Sequence, residues 1–203
     1  DSSEYGTKLL DKLFGGASFT FPKSLWAVYD CVKLATKDDK DAIVLDFFSG
    51  SATTAHAVMQ LNAEDEGKRK FIMVQLPENL DQALQRSSDA KTKNSIRSAI
   101  NFLDTIDKKH DICSIGEERI RRAGKKIKED AGLTAQDLDI GFRVLKLDSS
   151  NMKDVYYTPE EYFKMGYNLD GFKENIKEDR TDEDLLFQVM LDLGIPLSAK
   201  IEN

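Results

Sequence analysis

The chain has 203 residues, 40% hydrophobic and 32% charged, with a formal net charge of −7. That is enough apolar material for one ordinary globular core with some extra helical structure, and the charge has the wrong sign for a chain whose main task is gripping phosphates. No run of about 18 apolar residues marks a membrane span, no signal-peptide pattern is present, and Cys31 and Cys113 are too few and too far apart for a metal site or disulfide scaffold, which predicts a reducing cytoplasm.

The chain starts at Asp1 with no initiator methionine, so it is expected to be a piece of a longer protein. Asp1 to Gly16 predicts a short amphipathic helix with Leu9, Leu10, Leu13 and Phe14 apolar, stopped by Gly15 and Gly16. Phe19-Thr-Phe-Pro-Lys then leads into a second helix, Lys23 to Thr36, where Leu25, Tyr29 and Val32 recur at helical spacing beside Trp26. Pro22 suits that start, because its missing N–H has no helical partner there anyway. A polar turn, Lys37 to Asp41, delivers the chain to the stretch that organises it.

That stretch is IVLDFFSGSATTAHAV, Ile43 to Val58. An apolar run ends in Asp46, two aromatics follow, and a cluster of small residues precedes a helix-compatible segment. The order predicts a buried strand, a tight turn and a helix whose first turn faces back toward the strand end. Small residues let a ligand approach the backbone, and the N–H groups of a helix start point at it. Gly50-Ser-Ala52-Thr-Thr-Ala55 has GxGxxG-like spacing with alanine in the second and third glycine places. By itself the pattern also suits an ordinary strand–turn–helix whose small residues merely pack closely. The absence of a Gly-Lys-Ser/Thr ending excludes a nucleoside triphosphate loop. An acid at the strand end can pair with an ammonium group but would repel a phosphate. A zwitterionic, phosphate-free nucleoside cofactor such as S-adenosylmethionine therefore fits better than NAD. The residues predicted to meet it are Asp46, the loop Phe47, Phe48, Ser49, Gly50 and Ser51, and Thr53 and Thr54 at the helix start. His56, early in that helix, is expected to be solvated.

Lys70 to Leu76 reads as a second buried strand. Asn79 to Lys109 is polar and helical in pattern, with Ile96, Ile100 and Leu103 forming one apolar stripe around Ala99. Ser114-x-x-Glu117 has the form of a capping box for the next helix. There Ile115, Ile120, Ala123 and Ile127 form the buried face, and Arg119, Arg121, Arg122, Lys125, Lys126 and Lys128 the outer one. Such a basic face is either solvated and balanced by Glu117, Glu118, Glu129 and Asp130, or a contact for DNA phosphate or an acidic partner. Gly132 ends the helix. Ile140 to Leu147, apolar on both faces, is expected to be a third, central parallel strand, with Asp148 and Ser149 at its end within reach of an adenine ring. Thr158-Pro-Glu-Glu161 and Thr181-Asp-Glu-Asp184 signal two further helix starts, the second stopped by Gly194 and Pro196.

Five blocks follow one another in a recognisable order: FPKS at Phe21 to Ser24, DFFSGSATTAHAVMQLN at Asp46 to Asn62, GKRKFIMVQLPE at Gly67 to Glu78, GEERIRRAGKKI at Gly116 to Ile127, and LDIGFRVLKLDSSN at Leu138 to Asn151. Together they resemble the C-terminal half of the modification subunit of type III restriction–modification systems. Those are adenine-N6 DNA methyltransferases of the permuted class, in which the catalytic motif precedes the cofactor motif. Ala52 departs from the family, which usually has glycine there; the departure is expected to tighten the loop and lower cofactor affinity.

The resemblance implies an α/β fold, a partial Rossmann-like S-adenosylmethionine methyltransferase sheet with extra C-terminal helices. It implies a cofactor-binding half over 1–150 and a helical extension over 151–203 for dimerisation or partner contact. It makes Phe21, Lys23 and Ser24 part of the motif lining the methionine end of the cofactor. It places Gln75, with Glu78 in reserve, at the ribose hydroxyls, where an amide can bond two hydroxyls; the alternative is a polar strand end. Expected partners are DNA, mostly through missing regions, a restriction subunit and a second copy. The family holds its flipped adenine with an Asp-Pro-Pro-Tyr-like tetrapeptide. The four prolines here, Pro22, Pro77, Pro159 and Pro196, include no adjacent pair. The tetrapeptide is thus expected upstream of Asp1, the chain alone is expected not to methylate DNA, and the exposed edge of the Ile43–Phe47 strand is expected to be covered by the N-terminal segment or a second copy. A non-enzymatic docking module is the rival reading. A nicotinamide-dependent oxidoreductase is the third, disfavoured by Asp46 where a pyrophosphate would sit.

Overall fold

The computed structural model describes residues 3–16, 22–132, 137–153, 160 and 175–202. The chain divides into two compact units, Asp1–Val144 and Leu145–Asn203. In the first, a π-helical segment Ser3–Lys8 runs into α1 (Leu9–Leu13), followed by α2 (Leu25–Ala35), β1 (Ile43–Asp46), α3 (Thr53–Asp65), β2 (Lys70–Met73), α4 (Leu80–Arg86), α5 (Ala90–Thr105) and α6 (Ile112–Ala131). The second unit contains α7 (Asp182–Asp192). The architecture is α/β.

The β1–α3–β2 passage makes a parallel pair in the register Ile43↔Lys70 to Asp46↔Met73. Side chains alternate across it. Val44, Phe71 and Met73 face the helices, where Val44 and Phe71 pack with Leu25, Tyr29, Val32, Ala57, Val58 and Leu61. Ile43, Leu45 and Ile72 lie on the other face, 63%, 47% and 49% exposed. Of the two covers expected for this edge, the N-terminal segment supplies none among the described residues: none of them pairs with the free side of β1, whose ladder bonds all run to β2. Among the described residues of this unit, helices cover one side of the two-stranded sheet.

Helix α3 is the centre of the unit. Thr53, Ala55, His56, Ala57, Val58, Met59, Leu61 and Asn62 are all buried, so it lacks the polar face of a surface helix. One side meets α2. Another meets α6 through Met59, Ile120, Ala123 and Ile127. Gly124 permits that approach: a Cβ there would stand 2.9 Å from Ile140 Cβ and 3.3 Å from Met59 Sδ. A separate cluster joins Leu10 and Phe14 to Leu80, Ile96, Ala99, Ile100, Phe102, Leu103 and Ile115. The Ile96–Ile100–Leu103 stripe is therefore a core face, as expected.

Two expectations are corrected here. The stretch Ile140 to Leu147 forms no ladder; Leu138, Ile140 and Phe142 alternate inward onto the α3–α6 cluster, an extended chain resting on a helix without a neighbouring strand. Helix α6 is capped by Asp111, whose carboxylate accepts from the Ser114 N–H at 2.8 Å, so Ser114 is the third helical residue and not the cap. The Thr181–Asp184 capping box is present, and Gly132 and Gly194 follow their helices at φ 59° and 67°. The start expected at Thr158 lies outside the described residues. In the second unit, Asp148 pairs with Arg180 at 3.4 Å, and Ser149 Oγ accepts from Lys177 and Arg180 at 2.8 and 3.1 Å.

Candidate functional site

The carboxyl ends of β1 and β2 lie side by side, and the loop 47–52 closes over them. Asp46 is half-buried at the end of β1. Its Oδ2 accepts from Thr54 Oγ1 at 2.6 Å and its Oδ1 from the Phe48 N–H at 3.2 Å. A carboxylate has about four lone-pair sites, so this one keeps accepting capacity beyond the two bonds. Phe47 and Phe48 are 64% and 81% exposed, leaving two aromatic faces beside the acid. Ser49 N–H donates to Val74 O at 3.2 Å and Ala52 N–H to Ser49 O at 2.7 Å, which folds the turn back on itself.

Gly50 and Ala52 both take the left-handed conformation, at φ 51° and 57°. Glycine does so freely; for alanine it costs about 1–2 kcal/mol. The turn thus requires glycine-like freedom at the position where the sequence departs from its resembling family. Ala52 is buried against α6, with its Cβ 3.5 Å from the Cβ position of Gly116.

Gln75 stands just past β2, but its amide is engaged. Its Oε1 accepts from Gly50 N–H at 2.8 Å and its Nε2 donates to Leu76 O at 3.2 Å. It fastens the loop to the neighbouring strand end. Glu78 is exposed, and its backbone links to Ile112 at 3.1 Å. Ser51 and Thr53 are buried with their hydroxyls turned inward, away from solvent, leaving their backbone to border the loop.

Those hydroxyls meet Arg119 of α6. Its Nη1 donates to Thr53 Oγ1 at 2.7 Å and Ser51 Oγ at 3.0 Å, with the Ser51 carbonyl at 3.4 Å. Expected on the outer face, Arg119 is 0% exposed, which corrects that reading. The signal was its spacing: Ile115, Arg119, Ala123 and Ile127 fall four apart, on the core stripe. Four of the five other basic residues of the face are balanced as one alternative held, with Arg121 on Glu117 and Glu118, Arg122 on Glu118, Lys125 on Glu129 and Lys126 on Asp130.

His56 is likewise buried, not solvated. Burial, then the Arg119 charge, lowers its pKa from 6.5 to about 3, so the ring is neutral at physiological pH. His110 behaves oppositely: hydrogen bonds to Asp104 and Asp81, at 2.9 and 3.0 Å, raise its pKa. The link it makes contributes fully below about pH 6.5 and is lost as pH rises through the raised value. NMR titration is expected to show His110 titrating above 6.5 and His56 silent across that range. Two similar curves would contradict both placements.

Lys23 and Ser24 of the FPKS block reach the same end of the unit. Leu25 and Trp26 share a 260 Å³ cleft with His56 and Gln60, Tyr29 donates to Glu64, and Thr36 meets Arg69. Contacts that advance together along both helices mean that α2 runs alongside α3 in the same direction. Lys23, exposed, and Ser24, the helix N-cap, therefore stand at the loop end of α3. Phe21 lies outside the described residues.

The fold and the loop define an α/β protein with a small-residue turn and an acid at the carboxyl ends of two parallel strands. The profile of the N6/N4 DNA methylase family matches residues 3–115, and the chain belongs to that family. It is 40% identical over 142 residues to the Mod subunit of the type III restriction–modification enzyme StyLTI of Salmonella typhimurium, covering 70% of this chain and 18% of that one. To the EcoPI Mod subunit of Escherichia phage P1 it is 34% identical over 176 residues, 79% of this chain and 24% of the other. The type II methyltransferase M.KpnI of Klebsiella pneumoniae is 42% identical over 78 residues, 37% of this chain and 18% of its own. The chain thus spans between 18% and 24% of the length of these relatives. The resemblance drawn from the motif blocks to type III modification subunits stands. Among the described residues, no helix is long and apolar enough to cross a membrane.

Proposed function

We propose that this chain is the cofactor-binding portion of a site-specific DNA adenine-N6 methyltransferase of the type III modification kind. Its parent transfers a methyl group from S-adenosylmethionine to adenine N6 in DNA. The observation that carries the reading is Asp46, held by Thr54 and Phe48 at the ends of two parallel strands, in a chain of the DNA methylase family.

The residues present fit the cofactor's chemistry. Asp46 retains acceptor capacity for an ammonium group, and no lysine of a phosphate loop competes for it. Phe47, Phe48, Ser49 and Gly50 border the nucleoside with backbone and aromatic surface. Ser51 and Thr53 hold the turn, and Thr54 orients the acid. Lys23 and Ser24, with Phe21, line the methionine end. Gln75 serves the site by fastening Gly50, with the ribose role assigned to it in sequence kept as the alternative. When bound, the cofactor supplies an electrophilic methyl group on a sulfonium centre. Asp46 counters the ammonium charge of the amino acid moiety.

In this reading β1–α3–β2 is part of a Rossmann-like sheet, 1–150 is the cofactor half, and 151–203 is a dimer or partner extension. The parent works in the cytoplasm as a homodimer with a restriction subunit, and this chain alone does not methylate DNA. The bare apolar face of Ile43, Leu45 and Ile72 favours one rival, a docking module that keeps the scaffold without the chemistry.

Calorimetric titration with S-adenosylmethionine, with NADH as control, tests the proposal. The expected result is saturable S-adenosylmethionine binding that Asp46→Ala abolishes. Binding of NADH alone sinks the methyltransferase reading, and binding of neither favours the docking module.

A further inference from the structure

We propose that Arg119 is a positioning residue for the cofactor loop, clamping the turn Ser51–Thr53 to α6 so that the loop's shape depends on a helix that begins far downstream in sequence. This rests on the reading of the loop given above, although the clamp itself is a statement about the chain alone.

A buried guanidinium normally has a carboxylate partner, because an unpaired buried charge is costly. Among the described residues Arg119 has none: its guanidinium donates to two hydroxyls and one carbonyl, all on the loop or the first residue of α3. Its Nε and Nη2 are buried with no hydrogen-bond partner among the described residues. Core packing does not explain such a residue, since a methionine would fill the space without desolvating a charge. The side chain makes sense as a clamp. One nitrogen gathers Ser51 and Thr53, the residues on either side of Ala52, whose left-handed backbone resists the turn. Gly116, one helical turn earlier, lets α6 approach closely; a Cβ there would come 3.3 Å from Gly50 O. Gln75 holds the same loop from the strand side. The turn is thus gripped from two elements, and Arg119 supplies the grip from the helix.

The test is amide hydrogen exchange on the intact chain without ligand, read at the hydrogen-bonded amides of Gly50, Ala52 and His56, with α5 as internal reference. Arg119→Lys keeps the charge but not the fork. It is expected to speed loop exchange roughly 10- to 100-fold, the range for losing charge-assisted hydrogen bonds, and to leave α5 unchanged. Thr53→Val removes the shortest bond alone and is expected to act in the same direction with a smaller factor. Unchanged loop exchange in Arg119→Lys, or a rise no larger than that of α5, overturns the clamp. If Arg119→Lys does not fold, unchanged loop exchange in Thr53→Val overturns it instead. S-adenosylmethionine titration of the same proteins separates the two ideas. A loosened loop in a chain that never binds cofactor keeps the clamp and removes the cofactor reading. Equal affinity and equal exchange in wild type and Arg119→Lys do the reverse.

Discussion

Arg69→Met is expected to destabilise the first unit by about 2–4 kcal/mol, a fall in Tm of roughly 5–15 °C. Arg69 sits immediately before β2 with its side chain 1% exposed. Its Nε donates to Thr36 Oγ1 at 2.7 Å and its Nη2 to Thr36 O at 3.2 Å, which ties down the end of α2. Nη1 and Nη2 donate to the two oxygens of Asp65, at 2.9 and 3.0 Å, which ties down the end of α3. Asn62 completes the knot, its amide bonding the Arg69 backbone in both directions at 2.9 and 3.1 Å. Methionine fills much of the volume and leaves these acceptors unsatisfied. The cost stays below that of a fully buried pair because Asp65 keeps 28% of its side chain in water.

The same substitution has a pH signature. Burial pushes the Asp65 carboxyl up, but its bonds to Arg69 outweigh that and hold it below 3.8. A depressed carboxyl contributes stability above its unfolded value, and that stability is lost as pH falls through the folded one. Wild type should therefore lose stability below about pH 4 more steeply than Arg69→Met. Thermal melts at pH 7 and pH 3.5 check both parts. A Tm within about 2 °C of wild type at pH 7 would mean that the network is not formed in solution.

The loop was legible because residue types and order say nearly everything about it. An apolar run, an acid, small residues and a helix former allow few other folds, and β1, α3 and β2 begin where the pattern put them. However, β2 ends at Met73, short of Leu76, and both strands, expected buried, leave one face exposed. Arg119 and His56 were misread for one shared reason. A charged or titratable residue on a helix defaults to water, and only the helix's surroundings can reverse that default. Spacing put Arg119 on the apolar stripe, and His56 lies in a run, Ala55 to Met59, with no polar face for it to occupy. Asp111 displaced Ser114 as cap because both residue types cap, and the sequence does not say which turn comes first. The Ile140–Leu147 stretch has a strand's composition, but a ladder needs a neighbour with free hydrogen-bonding groups. Composition is silent about neighbours.

The largest cavity effect is expected at Leu103→Ala, about 2–5 kcal/mol, against less than about 1 kcal/mol for Leu45→Ala. Both positions read as core in sequence, one on an apolar helix stripe and one in an apolar strand. Leu103 is 0% exposed in the cluster with Leu10, Phe14, Ile100 and Ile115, so truncation leaves a void in a core built from α1, α5 and α6. Leu45 is 47% exposed on the face of β1 turned away from α3, so there is little burial to lose. Urea unfolding of both variants at low and high protein concentration measures the contrast. If Leu45→Ala costs as much as Leu103→Ala, and more so at high concentration, the bare face is covered in solution by a second copy, because only an occupant supplied by association makes a half-exposed leucine behave as core. If the contrast holds at every concentration, the face stays open in the isolated chain, and the fold's stability rests on the helical side of the sheet alone.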